Sequence, residues 1–141
     1  PIFTHMRSLA PAIVIRSAIR DSLISEGSDI HGAIISDSVI GVRSIIRPGA
    51  TLKEVIMMGA DYYEEESPQP MDPDSEGYVP LGIGRNVTME HCIVDKNARI
   101  GDGVIIRRHD DGVNVDGEYY CIRDGITVIP KHAVIPPGTV I

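Results

Sequence analysis

The sequence contains no tryptophan and one phenylalanine, and aromatic residues make up only 4% of its 141 residues. Leucine is also scarce, with four residues, whereas isoleucine and valine together supply 35. Side chains branched at Cβ pack well on the pleated surface of a sheet and are less suited to long helices. The composition therefore predicts an all-β protein with an aliphatic core.

Long apolar runs, a set of paired cysteines and an excess of positive charge are also missing. No apolar run approaches the about 18 residues that a membrane-spanning helix needs, so we expect no membrane partner. Cys92 and Cys121 are too few for a secreted disulfide scaffold, and no signal peptide is recognised. We therefore expect a cytoplasmic protein. The net charge of −7 argues against a nucleic-acid partner.

The negative charge is concentrated in one segment. Residues 61–76 hold seven acidic residues and no basic ones, and the rest of the chain has 13 of each. This segment is also rich in proline, so we expect a solvated, mobile loop. The acidity of the whole chain does not exclude a phosphate-binding site elsewhere.

Aliphatic residues recur about every six positions, which is neither the 3.6-residue period of a helix nor the two-residue period of an ordinary strand. A short strand followed by a tight corner gives this period, and three such units make a triangular coil of about 18 residues. The pattern is typical of a left-handed parallel β-helix of hexapeptide repeats. An irregularly spaced sandwich or barrel is the alternative fold. The predicted inward-facing anchors are Ile13, Ile19, Ile24, Ile30, Ile34, Ile40, Ile46, Leu52, Met58, Ile83, Met89, Val94, Ile100, Ile106, Ile122, Val128, Val134 and Val140.

Interruptions of the repeat predict the organisation of the chain. Residues 1–12 precede the first repeat and are expected to form an entering arm or linker, and residues 13–141 form the β-helix domain. Two stretches without repeats, 59–82 and 107–121, are predicted to protrude from the coil as loops. The chain begins with Pro1, which leads us to expect a piece of a longer protein.

The five histidines do not indicate a metal site, because no two of them have the spacing of zinc ligands. One alternative function does use a histidine. Many hexapeptide-repeat proteins are acyltransferases that pair a histidine base with coenzyme A. His91 or His132 would be the base in that case.

Lysine is rare, and two of the three lysines show an informative spacing. Lys96 and Lys131 are 35 positions apart, and removing the 15-residue loop between them leaves about one coil. The two ammonium groups are therefore predicted to lie on adjacent coils, about 5 Å apart. Such a pair repels unless a negative charge lies between the two groups. That charge is either a carboxylate, Asp95 or Asp124, or a bound phosphorylated metabolite.

Several longer stretches resemble one family. They are PIFTHMR at 1–7, SVIGVRSIIRPGA at 38–50, MGADYYE at 58–64, VPLGIGRN at 79–86, IVDKNARIGDGVII at 93–106 and IRDGITVIPKHAVIPPGTVI at 122–141. Together they resemble the C-terminal β-helix domain of the glucose-1-phosphate adenylyltransferases (ADP-glucose pyrophosphorylases) of the plant and cyanobacterial type.

The resemblance implies an enzyme made of this domain and an N-terminal nucleotidyltransferase domain. That domain would use ATP and Mg²⁺ to convert glucose 1-phosphate into ADP-glucose and pyrophosphate for glycogen or starch synthesis. The β-helix domain would pack on it, build a homo- or hetero-tetramer and contribute to an allosteric anion site. We expect this chain alone to be catalytically inactive, and a plant or algal form to lie in the plastid.

The resemblance also implies individual site residues. Lys96 and Lys131 match the lysines that bind a phosphorylated effector such as 3-phosphoglycerate or fructose 1,6-bisphosphate. In this family inorganic phosphate opposes the action of these effectors. Arg7 and His5 match further ligands, although the family usually has glutamine in place of His5. Tyr62 and Tyr63 are expected either to contact another domain or subunit, or to cover the core where the first loop leaves it.

Overall fold

Short strands wind around a single axis in the computed structural model, which describes residues 9–141. Most pairs of neighbouring strands run parallel, which gives a triangular coil with three sheet faces. The described residues form sixteen strands, which are β1 Ile13–Ile15, β2 Ala18–Arg20, β3 Leu23–Ile24, β4 Asp29–His31, β5 Ile34–Ser36, β6 Val39–Ile40, β7 Ile45–Ile46, β8 Thr51–Met57, β9 Gly82–Ile83, β10 Thr88–Val94, β11 Arg99–Ile100, β12 Ile105–Ile106, β13 Val115–Asp116, β14 Cys121–Arg123, β15 Ile126–Ile129 and β16 Val134–Ile135.

Each face collects strands from successive turns of the coil. The first face has the order β1-β4-β7-β9-β11-β16. The seven-residue strands β8 and β10 bend around a corner and so belong to two faces. Their first halves lie on the second face, with β2, β5 and β12. Their second halves lie on the third face, with β3, β6 and β15. One turn takes 16 residues from Ile13 to its partner Asp29 and 17 from Thr88 to Ile105. The predicted coil of 18 residues is therefore slightly too long.

Three columns of aliphatic side chains fill the coil, one behind each face. On the third face, for example, Ile40 lies beside Met57, Met57 beside Val94 and Val94 beside Ile129, and all four are buried. Each turn adds three side chains to this shared core, so no turn buries much surface alone. The predicted all-β parallel β-helix is confirmed at the level of its architecture.

Some predicted anchors point outward instead of inward. Ile34 is 58% exposed, whereas its neighbour Ile35 is 1% exposed and fills the core. The same shift by one residue occurs in the final repeats, where the buried residues are Ile129, Ile135 and Ile141. The predicted anchors that do not lie in the core are Ile13, Ile34, Met58, Val128, Val134 and Val140. Part of the cause is that several steps between core residues span five positions, not six.

Corners are built from residues in the left-handed backbone region, stacked turn upon turn. One corner contains Arg43 at φ 56°, Asn97 at φ 62° and His132 at φ 63°. This conformation has the lowest energetic cost for glycine, and it costs less for asparagine and aspartate than for other residues. Larger side chains occupy it here because the parallel ladders on both sides fix the backbone.

The first protruding segment leaves the coil after β8 and returns at β9, which already contains Gly82. It includes a 3₁₀ turn at Glu64–Glu66. Gly59 has φ +94°, and a Cβ atom there would lie 2.2 Å from the carbonyl oxygen of Val42. Only glycine fits where the chain leaves the coil. Within residues 9–141 no helix is long and apolar enough to cross a membrane.

The second protruding segment is more ordered than a simple loop. Strands β13 and β14 pair antiparallel, and β14 pairs antiparallel with β15. The prediction of a loop over 107–121 is therefore wrong for Val115–Asp116 and for Cys121, which lie in strands. It also treated Ile122 as a coil anchor, although this buried residue belongs to the antiparallel extension. The predicted arm at 1–12 lies mostly outside the described residues, and Leu9 to Ala12 form no strand.

Candidate anion-binding site

Lys96 and Lys131 lie at the same edge of the coil, one turn apart. Each follows a strand of the third face, and in the register of those strands Val94 pairs with Ile129, two residues before each lysine. A backbone hydrogen bond of 3.0 Å, donated by the amide of His132 to the carbonyl of Lys96, joins the two turns. The topology thus brings together two cations that are 35 residues apart in the chain.

A carboxylate lies between the two ammonium groups, and it belongs to Asp61 at the start of the first protruding segment. The Nζ atom of Lys96 is 3.1 Å from Oδ1 of Asp61, and the Nζ atom of Lys131 is 3.9 Å from Oδ2. All three side chains are between one-third and one-half exposed. The site therefore holds an anion and remains open to solvent.

The sequence predicted a different carboxylate for this position. Asp95 instead accepts a hydrogen bond from the backbone amide of Lys96, and Asp124 accepts one from the amide of Gly112. Asp95 is thus used within its own turn and Asp124 by a contact across the second protruding segment. Among the described residues both lysines form their ion pairs with Asp61 instead. The prediction of Asp95 or Asp124 is wrong because a residue from a protruding segment reaches back to the coil.

Asn97 completes the cradle around Asp61. Its Nδ2 donates to Oδ2 of Asp61 at 3.0 Å, and its Oδ1 accepts the backbone amide of Asp61 at 2.8 Å. Its own backbone amide donates to the carbonyl of Gly59 at 3.1 Å. The buried Asn97 is thereby held at a left-handed corner with both ends of its amide used.

These contacts favour the ionised form of Asp61. The hydrogen bond from Asn97, followed by the one from Lys96, lowers the pKa of Asp61 below its ordinary value, although partial burial opposes the shift. Charge attraction to Lys96 and Lys131 acts in the same direction. The arrangement stabilises a negative charge at one defined point between the lysines.

A second ion pair ties the same segment to the coil three residues further on. The guanidinium of Arg99, with a side chain 7% exposed, donates to both carboxylate oxygens of Glu64 at 2.6 Å. Tyr78 and the backbone amide of Leu81 also donate to Glu64. Burial opposes ionisation of Glu64, but the hydrogen bonds from Arg99 and Tyr78 outweigh it and lower its pKa.

Asp61 and Glu64 therefore correct the prediction that the acidic segment is a solvated loop. Both were expected to face water, and both bind cations of the coil. The sequence offered no signal for these pairings, because Lys96 lies 35 residues from Asp61 and Arg99 lies 35 residues from Glu64. The asparagine of the DKN motif was the one local clue, since asparagine favours the left-handed corner at which it is found.

The remaining predicted site residues lie elsewhere. Tyr63 is half-buried against the coil and donates its hydroxyl hydrogen to the carbonyl of Gly27 at 2.8 Å, while Tyr62 is half-buried without such a bond among the described residues. His5 and Arg7 lie outside the described residues. Tyr63 thus bonds the coil directly through its hydroxyl group.

His91 and His132, either of which would be the base in the acyltransferase alternative, lie at different corners of the coil. His91 packs at an outer corner, with its Nδ1 3.1 Å from Oε2 of Glu54, which also pairs with Arg108. His132 is held through its backbone amide. Among residues 9–141 no group of three histidine, cysteine, aspartate or glutamate residues is arranged to hold a metal ion.

Comparison with known proteins places the chain beside one family. The family model described as the GLGC left-handed parallel beta-helix domain matches residues 7–140. The small subunit of glucose-1-phosphate adenylyltransferase, chloroplastic/amyloplastic, from Triticum aestivum is 42% identical over 145 residues, covering 100% of this chain. The chain spans 30% of the length of that relative.

Proposed function

The chain belongs to the family of GLGC left-handed parallel β-helix domains, and from that premise we propose that it is the regulatory and assembly domain of a glucose-1-phosphate adenylyltransferase. The matched wheat protein is named as the small subunit of that enzyme. The family is one of left-handed coils, so the coil of this chain is left-handed. In this proposal the chain contributes an allosteric site for a phosphorylated effector.

The observation that carries the proposal is the position of Lys96 and Lys131 around one carboxylate. Two ammonium groups and the amide of Asn97 converge on the oxygens of Asp61, at 3.0 to 3.9 Å. Phosphate groups carry oxygens of the same kind with more negative charge, and lysines are common phosphate ligands. The site is also open enough to solvent for a small metabolite to reach it.

The wider proposal extends to the rest of the enzyme. An N-terminal nucleotidyltransferase domain binds ATP with Mg²⁺ and glucose 1-phosphate and releases ADP-glucose and pyrophosphate. The β-helix domain packs against it and joins subunits into a homo- or hetero-tetramer, with Tyr62 and Tyr63 as candidate contact residues. Arg7 and His5 add to the effector site. A plant or algal form works in the plastid, as the name chloroplastic/amyloplastic says of the wheat relative.

Titration of the full chain with 3-phosphoglycerate, followed by the amide NMR signals, tests the effector site. We expect the signals of Lys96 and Lys131 to shift and the variant K96A/K131A to bind at least about tenfold more weakly. Lys53 is an exposed lysine on β8 and provides the matched control K53A, which should bind like the unchanged chain.

A parallel titration with coenzyme A separates the alternative function. The proposal expects no saturable shift with coenzyme A, whereas an acyltransferase would bind it tightly with changes around His91 or His132. A chain that binds neither compound, or that binds phosphoglycerate equally well without its two lysines, contradicts the proposed effector site.

A further inference from the structure

Asp61 occupies the place in which an effector phosphate would make its contacts. Its two oxygens are divided between the cations, with Oδ1 facing Lys96 and Oδ2 facing Lys131 and Asn97. A carboxylate with this division of contacts resembles two oxygens of a bound phosphate. The site is therefore already filled by a group of the protein itself.

We propose that Asp61 is an internal competitor for the effector, so that a phosphate group binds Lys96 and Lys131 only by displacing the Asp61 carboxylate. This inference rests on the proposed function, because it concerns the same two lysines. It assigns to Asp61 a regulatory role that is separate from those of the lysines. Effector binding and release of Asp61 from the coil become the same event.

Electrostatics favours displacement over joint binding. A phosphate between the lysines would place a charge of about −1.5 to −2 beside the ionised Asp61 carboxylate. Two like charges about 4 Å apart repel by about 1 kcal/mol even in water, and by more at a partly buried site. The Asp61 side chain is 43% exposed and can turn towards solvent.

The segment that would move is short, because both of its ends are fixed. Gly59 is held through its carbonyl by the amide of Asn97 at 3.1 Å, and Glu64 is held by the two hydrogen bonds of Arg99. Residues 60–63 lie between these points and include Tyr63, whose hydroxyl bonds the carbonyl of Gly27. Ala60 is also tied to the coil, since its amide donates to the carbonyl of Val42 at 2.9 Å. Displacement of the Asp61 carboxylate therefore changes the surface formed by residues 61–63 and leaves the rest of the segment in place.

Titration of the full chain with inorganic phosphate tests the competition. The variant Asp61→Asn keeps the shape of the side chain and removes its charge, so we expect its dissociation constant for phosphate to fall about threefold to tenfold. Asp95→Asn is the matched control, since it removes one negative charge next to Lys96 from a carboxylate that accepts a hydrogen bond from the backbone amide of Lys96. We expect a change of less than about twofold for that control.

A second measurement on the unchanged chain does not depend on any variant folding well. The ¹³C signal of the Asp61 carboxyl carbon should move with phosphate concentration along the same saturation curve as the amides of Lys96 and Lys131, and the Tyr63 ring signals should follow. One contrary result is that phosphate shifts the amide signals of the two lysines while the Asp61 signal stays constant and Asp61→Asn binds phosphate no more tightly than the unchanged chain. That result would overturn the proposed competition but would still support the proposed effector site.

The remaining outcomes separate this inference from the function on which it rests. If phosphate binds Asp61→Asn but not the unchanged chain, the competition is supported in its strongest form. If phosphate binds neither protein at the two lysines, both the competition and the proposed effector site are wrong. Equal gains in phosphate affinity for Asp61→Asn and Asp95→Asn would show that the gain comes from the loss of one negative charge near Lys96 and not from the position of Asp61. That result would overturn the proposed competition.

Discussion

Glu64 and Arg99 form the ion pair that fixes the first protruding segment. The contribution of this ion pair to the free energy of unfolding should decrease at acidic pH. The pKa of Glu64 is lowered in the folded chain. The stabilisation is therefore fully present above the ordinary glutamate pKa of about 4.3 and is lost as pH falls through the lower pKa of the folded chain.

The variant E64Q measures this contribution. At pH 7 we expect its free energy of unfolding to be about 1–2 kcal/mol lower, since the nearly buried Arg99 loses its charged partner but Glu64 is one-third exposed. The difference should shrink below about pH 4 in urea denaturation. E66Q, a charge-matched change at an exposed position of the same 3₁₀ turn, should have little effect. An E64Q defect that is independent of pH would contradict the ion-pair account.

At this scale the sequence identified half of the candidate site. Lys96 and Lys131 could be paired from their spacing, because the coil repeats at nearly constant length. Asp61 and Arg99 could not be assigned, because their partners are set by how a non-repeating segment folds back. Contacts of that kind have no period in the sequence and depend on the path of the whole segment.

Glycines at the turns of the coil allow a test at the scale of the structural element. Gly59 and Gly138 both have positive φ, at +94° and +75°. An added Cβ would meet backbone atoms of Val42 at Gly59, but nothing within 4 Å at Gly138. The two positions therefore separate the cost of the backbone conformation from the cost of close packing.

We expect G138A to lower the free energy of unfolding by about 1 kcal/mol, the cost of a left-handed alanine. G59A should lower it by about 3 kcal/mol, because the backbone of Val42 must also move. Chemical denaturation of the two variants measures both values. Equal losses would show that the close approach at Gly59 does not constrain the coil.

The architecture was predictable from the six-residue period, whereas the exact inward-facing residues were only partly so. Errors occurred where two aliphatic residues are adjacent, as at Ile34–Ile35 and Val140–Ile141, because hydrophobicity cannot decide which of the two faces the core. The strand β13 was missed because it is short and exposed, and Ile122 of β14 was assigned to the coil because it is a buried aliphatic residue. Their pairing is antiparallel and lies outside the repeat.

For the whole molecule, the net charge of −7 arises from one segment that is partly neutralised by the coil. Asp61 and Glu64 lie at the beginning of that segment and face Lys96, Lys131 and Arg99. The acidic total is thus compatible with a binding site for phosphorylated metabolites. The chain belongs to the GLGC β-helix family, and the proposed effector site lies at one edge of its coil.

The most direct measurement of the regulatory role uses a chimera in which this chain replaces the 145 residues that it matches in the wheat subunit. The formation of ADP-glucose from ATP and glucose 1-phosphate is followed against 3-phosphoglycerate concentration, with the unchanged chain and with K96A/K131A. We predict that 3-phosphoglycerate activates the first chimera, and that the double variant keeps the basal rate but requires at least about tenfold more activator. Activation with the same concentration dependence in both chimeras would contradict the account.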